Sequence, residues 1–168
     1  MMKKSTTVKK FNVKYMEGVT PYLEKFKGNC WDVRATAIKI NGVDVSIEAF
    51  KEHGLNYKAG DTIFCKFGFA IDMTDQKGVK YVGYLYSRSS TFKNYGWLLT
   101  NGIGMIDNEY KGNSDQWCGM FTALKDGHVA YNDRVAQIEF REEAPQVELV
   151  VVENLENQSR GGYGSTGK

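Results

Sequence analysis

The stretch DTIFCKFGFAI, residues 61–71, decides the class of fold. Its apolar side chains recur at every second position, through Ile63, Cys65, Phe67, Phe69 and Ile71. Successive side chains of an extended chain point to opposite faces, so this spacing gathers all five on one side. The same period runs through Phe11, Val13 and Tyr15 in FNVKY (11–15). In RVAQIEF (134–140) it runs through Val135 or Ala136, then Ile138 and Phe140. Further on, VELVVVENL (147–155) is a continuous β-branched run, the pattern of a strand buried on both faces. Glycines recur between these runs, as turns between strands require. Only SIEAFKEHGL (46–55) has a helical pattern, short and closed at Gly54. Short strands, turn signals and almost no helix predict an all-β sandwich or barrel.

At 168 residues the chain suits one domain with a genuine core. Its 42% hydrophobic and 25% charged residues are ordinary globular composition. A formal net charge of +2 argues against a protein whose main work is coating nucleic acid. The opening MMKKSTTVKK (1–10) is basic but leads into FNVKYMEG rather than an apolar run, so it reads as a surface arm. No segment is long enough to span a bilayer. Cys30, Cys65 and Cys118 are odd in number, far apart and distant in sequence from His53 and His128. They read as reduced thiols of a cytoplasmic protein rather than as zinc ligands or a disulfide framework. The domain is expected to occupy residues 1–153. From 154 to 168 the composition turns polar and glycine-rich, ending RGGYGSTGK.

Taken locally, each polar stretch has two readings. Arg88, Ser89 and Ser90 in YSRSS (86–90) form either a solvated turn or a fork and hydroxyls for phosphate oxygens. TNGIGMIDNEYKG (100–112) is either a hairpin with a polar turn or a ligand-facing one. In the latter, Gly102 and Gly104 admit close backbone approach, and Asp107, beside Met105 and Ile106, serves as a base. Asp32 in NCWDVRA (29–35) pairs with Arg34 at a strand edge, or holds a hydrated magnesium. Gln137 in NDRVAQIEF (132–140) is a half-exposed strand residue or one that needs partners. The tail is an idle flexible end or an anion-binding nest, with Tyr163 as a stacking surface.

In order and spacing these stretches resemble the trimeric deoxyuridine triphosphate nucleotidohydrolases (dUTPases) of bacterial and phage type. That family is defined by five motifs in this sequence order. The likeness covers about residues 28 to 168, and IDNEYKG with GYGSTG is its most specific part. It implies a distorted jelly-roll β-sandwich of the β-clip type, a flexible C-terminal arm and a homotrimer with shared active sites. By the same resemblance Asp32 binds Mg2+ through water, and Arg88, Ser89 and Ser90 grip the phosphates. Asn101 and the Gly104, Met105 and Ile106 backbone read the uracil, Asp107 deprotonates the attacking water, and Tyr110 packs under the deoxyribose. Arg134 and Gln137 belong to a fourth motif near the phosphates. Arg160, Gly161, Gly162, Tyr163, Gly164 and Ser165 form the arm that closes over dUTP. The tail is shorter between Arg160 and its aromatic than the family's commonest form, and Ser90 stands where glycine is usual. The stretch 44–60 is longer than the family's corresponding connection and receives no role.

The implied activity is hydrolysis of dUTP to dUMP and pyrophosphate, which keeps uracil out of DNA. Neither nucleic acid nor membrane is an expected partner. Two rivals stand: a dCTP deaminase, which shares the fold and an Arg-Ser-Ser motif, and a dUTPase-like phage protein that acts by binding regulators. The deaminase has proline and tryptophan in its third motif, where this chain has IDNEYKG.

Overall fold

The computed structural model describes residues 8–23 and 28–155. All the arm residues from Arg160 to Ser165 lie outside them. The alternation seen in 61–71 yields two strands rather than one: β6 (Thr62–Lys66) and β7 (Phe69–Asp72). The chain turns between them at Gly68, whose φ of +75° is a left-handed conformation. A Cβ there would lie 2.8 Å from Thr36 Oγ1 and 2.9 Å from Val19, so shape and conformation both demand glycine. Ile63, Cys65, Phe67, Phe69 and Ile71 are all buried, their inward orientation carried round the corner. Each buried phenylalanine contributes roughly 1.5–3 kcal/mol, so keeping both Phe67 and Phe69 inside is worth the bend.

The corner distributes the strands between layers. β6 lies at the centre of a five-stranded sheet, flanked by β3 (Ala37–Ile40) with β4 (Val43–Asp44), and by β11 (Cys118–Ala123) with β9 (Trp97–Leu99). A four-stranded sheet runs β10 (Gly104–Ile106), β8 (Tyr81–Ser87), β13 (Arg134–Glu142), β2 (Trp31–Arg34). β7 pairs with β1 (Asn12–Tyr15), and β5 (Leu55–Tyr57) with β12 (Gly127–Val129), as separate two-stranded ladders. Ile38, Ile63 and Phe121 from the larger sheet share one buried cluster with Val33, Leu85 and Ile138 from the smaller. The architecture is the expected β-sandwich.

Residues 46–54 behave as their pattern predicts. Helix α1 (Ile47–His53) starts at Ser46, whose hydroxyl accepts from Ala49 N, and ends at Gly54 with φ +66°. Its one buried residue, Phe50, meets the Tyr131 ring edge-on at 5.9 Å. A second helix, α2 (Thr91–Tyr95), was not anticipated; five residues are too few for periodicity to declare it.

Two strand readings need correction. Val13 is exposed, because β1 is covered by β7 along one edge and Val13 faces an open recess. The run 147–152 is not a buried strand: it forms no ladder, and Leu149 and Val151 are 90% and 98% exposed. Among the described residues no helix is long and apolar enough to cross a membrane.

Candidate active site

The polar residues singled out in the sequence fall into two groups. One gathers where β2, β8 and β13 end together. Gln137 is in register with Asp32 on one side and Tyr86 on the other, which brings the first and fourth sequence stretches to the edge of the loop carrying Arg88. Arg88 Nε donates to Asp32 Oδ1 at 2.7 Å, and Arg134 Nη1 donates to Asp32 Oδ2 at 3.2 Å. Arg88 Nη1 also donates to Ser90 Oγ and to the Arg134 carbonyl, both at 3.1 Å. Gln137 Nε2 donates to the Ser87 carbonyl at 3.1 Å, so this strand glutamine has its partner. Asp32 does not pair with Arg34, whose guanidinium donates to the Asn132 carbonyl instead.

A β-bulge makes this convergence possible. Opposite β2, Arg134 pairs with Arg34 but Ala136 pairs with Val33, so Val135 is an extra residue. Bulges bend a strand and re-aim its side chains. Here the bulge buries both Val135 and Ala136, alternatives that simple alternation could not separate, and leaves Arg134 on the polar face. Asp32, Arg88, Ser89, Arg134 and Gln137 line an open groove of about 340 Å³ together with Cys30. Two guanidiniums share one carboxylate there, so the cluster keeps a surplus positive charge beside two serine hydroxyls. Forked donors with that surplus suit phosphate oxygens. Cys30 has its thiol pushed up by burial, with Glu139 and Asp32 adding to the effect.

The second group lies on the chain that leaves β9. Residues 100–103 do not close a hairpin: β9 belongs to the five-stranded sheet and β10 to the four-stranded one, so the segment is an arch between layers. Gly102, at φ +69°, makes its turn, donating from N–H to the Leu99 carbonyl. Gly104 packs on Leu85, where a Cβ would come within 3.1 Å of its Cβ. Asn101, Met105, Asp107 and Tyr110 are exposed, and Ile106 is half-buried. The anchor of the turn is Asn108, which sequence reasoning passed over: it is 1% exposed and accepts from Lys111 Nζ at 3.1 Å. Tyr110 donates its hydroxyl to the Gln116 carbonyl at 3.1 Å, and burial pushes its phenol up.

These groups stand far apart in one chain. Ile106 pairs with Gly83, which sets Asp107 level with Val82. Arg88 is six positions further along, roughly 20 Å at about 3.3 Å per residue. β2 and β10 are opposite edges of their sheet, roughly 14 Å apart at about 4.8 Å per strand. A larger apolar recess of about 560 Å³, lined by Phe11, Trp31, Tyr81 and Phe140 among others, touches neither group. Among the described residues no three His, Cys, Asp or Glu side chains form a metal cluster.

No protein-family model matches the chain. It is 32% identical over 156 residues to the SPbeta prophage-derived deoxyuridine 5'-triphosphate nucleotidohydrolase YosS of Bacillus subtilis (strain 168), covering 92% of this chain and 96% of that protein. It is also 32% identical to the deoxyuridine 5'-triphosphate nucleotidohydrolase of Wigglesworthia glossinidia brevipalpis, over 76% of this chain and 81% of that one. The G164S mutant of the Staphylococcus bacteriophage 80alpha dUTPase, solved with dUpNHpp, superposes with a TM-score of 0.67 at 16% identity, covering 95% of this chain and 99% of the other. That likeness shows a shared fold. With a relative matched over almost its full length, the chain belongs to the deoxyuridine 5'-triphosphate nucleotidohydrolase (dUTPase) family.

Proposed function

We propose that the chain is a dUTP diphosphatase, converting dUTP and water to dUMP and pyrophosphate by attack at the α-phosphorus, at sites shared between copies in a homotrimer. Family membership supports the reaction. The observation that carries the site is the Asp32–Arg88–Arg134 cluster at an open groove, a built receptor for polyphosphate. Arg88 and Arg134, with Ser89, Ser90 and Gln137, take the phosphates and offset their charge as pyrophosphate leaves. Asn101 and the Gly104, Met105 and Ile106 backbone read uracil. A close backbone edge rejects the thymine methyl by overlap, and rejects cytosine by leaving buried polar groups mismatched. Tyr110, fixed through its hydroxyl to Gln116, packs under the sugar and leaves no room for a 2'-hydroxyl. Asp107 accepts the proton of the attacking water.

The separation of roughly 20 Å between Arg88 and Asp107 exceeds the reach of one triphosphate. Each site therefore takes its phosphate grip from one copy and its base and general base from another, and the exposed run 147–152 supplies apolar surface for such assembly. Asp107 is exposed in the single chain, so its desolvation comes from the neighbouring copy and the nucleotide. Residues 154–168 act as the arm, with Arg160 on phosphate, Tyr163 on the uracil face, and the Gly161, Gly162, Gly164 and Ser165 backbone closing round the substrate. Closure excludes bulk water.

Asp32 suits Mg2+ held through water: magnesium keeps most of its hydration shell, and a single carboxylate beside a polyphosphate groove meets that need where a dedicated cage would not. Bound there, the ion would neutralise triphosphate charge. The soluble substrate matches a cytoplasmic location. Pyrophosphate release from dUTP, dCTP, dTTP and UTP, with and without Mg2+, tests the proposal. Release from dUTP alone, dependent on Mg2+, is expected. Ammonia released from dCTP would replace this reading with the deaminase.

A further inference from the structure

We infer that Thr91 is a positioning residue for the phosphate grip, its buried hydroxyl coupling the loop that carries Arg88 to the bulged strand that carries Arg134. Thr91 follows Arg88-Ser89-Ser90 and opens helix α2, where an aliphatic residue would serve helix formation and burial equally well. It is instead one of the few fully buried polar residues of the described chain, 0% exposed. Its Oγ1 accepts from the Arg88 backbone N–H at 3.0 Å and donates to the Val135 carbonyl at 2.8 Å. Its own N–H donates to the Arg88 carbonyl at 3.0 Å, closing a reciprocal turn.

Two features separate this arrangement from a simple helix start. First, Ser90 holds the capping position but makes no capping bond, its hydroxyl accepting from the Arg88 guanidinium instead. Second, the acceptor is Val135, the extra residue of the bulge, itself 0% exposed and out of reach of water. The loop thus holds both bulge carbonyls: Arg88 Nη1 takes that of Arg134, and Thr91 takes that of Val135. The bulge sets the direction of Arg134 and the turn sets that of Arg88. One hydroxyl fixes the two against each other, which matters because groups that grip one polyphosphate must agree in position to within a fraction of an ångström.

The inference rests on the proposed phosphate role of Arg88 and Arg134, and its test separates the two. Thr91→Val keeps the shape and removes the hydroxyl; Thr91→Ser keeps the hydroxyl. Calorimetry with pyrophosphate and, separately, deoxyuridine is run on each, alongside dUTP kinetics. Thr91→Val should weaken pyrophosphate binding about 10-fold, the scale of one buried hydrogen bond, and raise KM for dUTP in parallel. Deoxyuridine affinity should hold, and Thr91→Ser should return pyrophosphate affinity to within about 2-fold of the parent. Unchanged pyrophosphate affinity in folded Thr91→Val overturns the inference, as does an equal loss for both ligands. Should Thr91→Val not fold, Thr91→Cys, whose thiol fills similar space and donates weakly, must show an intermediate loss; parental affinity there overturns it too. Failure of the parent protein to cleave dUTP would defeat the proposed activity and leave the pyrophosphate comparison valid.

Discussion

The Arg88 end of the smaller sheet and the Asp107 arch differ in how they are held. At the first, side chains fix side chains: Asp32, Arg88, Ser90 and Arg134 are joined by side-chain bonds, and Thr91 ties the Arg88 backbone to the Val135 carbonyl. At the second, order resides in the backbone and in Asn108, while Ile103, Met105 and Tyr110 stand 53%, 64% and 42% exposed. On the proposed assignment, the phosphate grip is already built within the single chain, while the base- and sugar-facing arch presents apolar side chains without a cover. The lesson is that the two proposed halves of the site differ in what would complete them. Electrostatic preorganisation needs fixed dipoles, which a single chain can build. Shape selection needs walls, which another chain can bring.

The sharpest way to break this division is at its proposed catalytic pole. Asp107→Asn should lower turnover by roughly 10²–10⁴-fold while dUTP still binds, as judged by single-turnover rates and calorimetry. Turnover at the parental rate would remove Asp107 from the chemistry. A second experiment addresses the division itself. Arg88→Ala and Asp107→Asn chains, each inactive alone, should regain activity when co-expressed, because about a quarter of sites in randomly mixed trimers draw both intact halves. Mixed assemblies as inactive as their parents would put both halves in one chain.

The smallest expected effect lies away from both poles. Asp75 is fully buried, bonded by Lys9 Nζ at 2.6 Å and by the backbone N–H groups of Lys77 and Val79. The Lys9 bond, ahead of those N–H groups, holds its carboxyl below the usual range. A depressed carboxyl stabilises the fold above its unfolded pKa of about 3.9, and that contribution fades as pH falls through the folded value. Asp75→Asn should therefore lower the melting temperature at pH 7 and differ less from the parent as pH drops below about 4. A gap that stays constant down to acid pH would assign the loss to packing rather than charge.

The sequence was most readable where one physical rule acted alone. Alternation found the inward face of 61–71, because burial is decided residue by residue. It missed the corner at Gly68, because a change of sheet keeps the same residues inside. Gly54 marked the end of α1 because capping is local chemistry. The bulge at Val135 was invisible for the opposite reason: it is a mismatch between two strands some hundred residues apart, and neither records it alone. The family motifs marked Asp32, Arg88 and Arg134, yet their mutual bonding and the part of Thr91 emerged only from three-dimensional register. For 147–152 composition misled, since a β-branched run declares that it wants cover without saying whose.

That last stretch also bears on how the protein is made. VELVVV (147–152) joins high strand propensity to a single charge, Glu148, with Pro145 just upstream as its other guard against self-association. A single chain leaves this ribbon exposed, so on the proposed assembly the meeting of copies competes with precipitation at high synthesis rates. Replacing Glu148 by an apolar residue should then lower the yield of soluble enzyme, and more steeply at higher expression temperature.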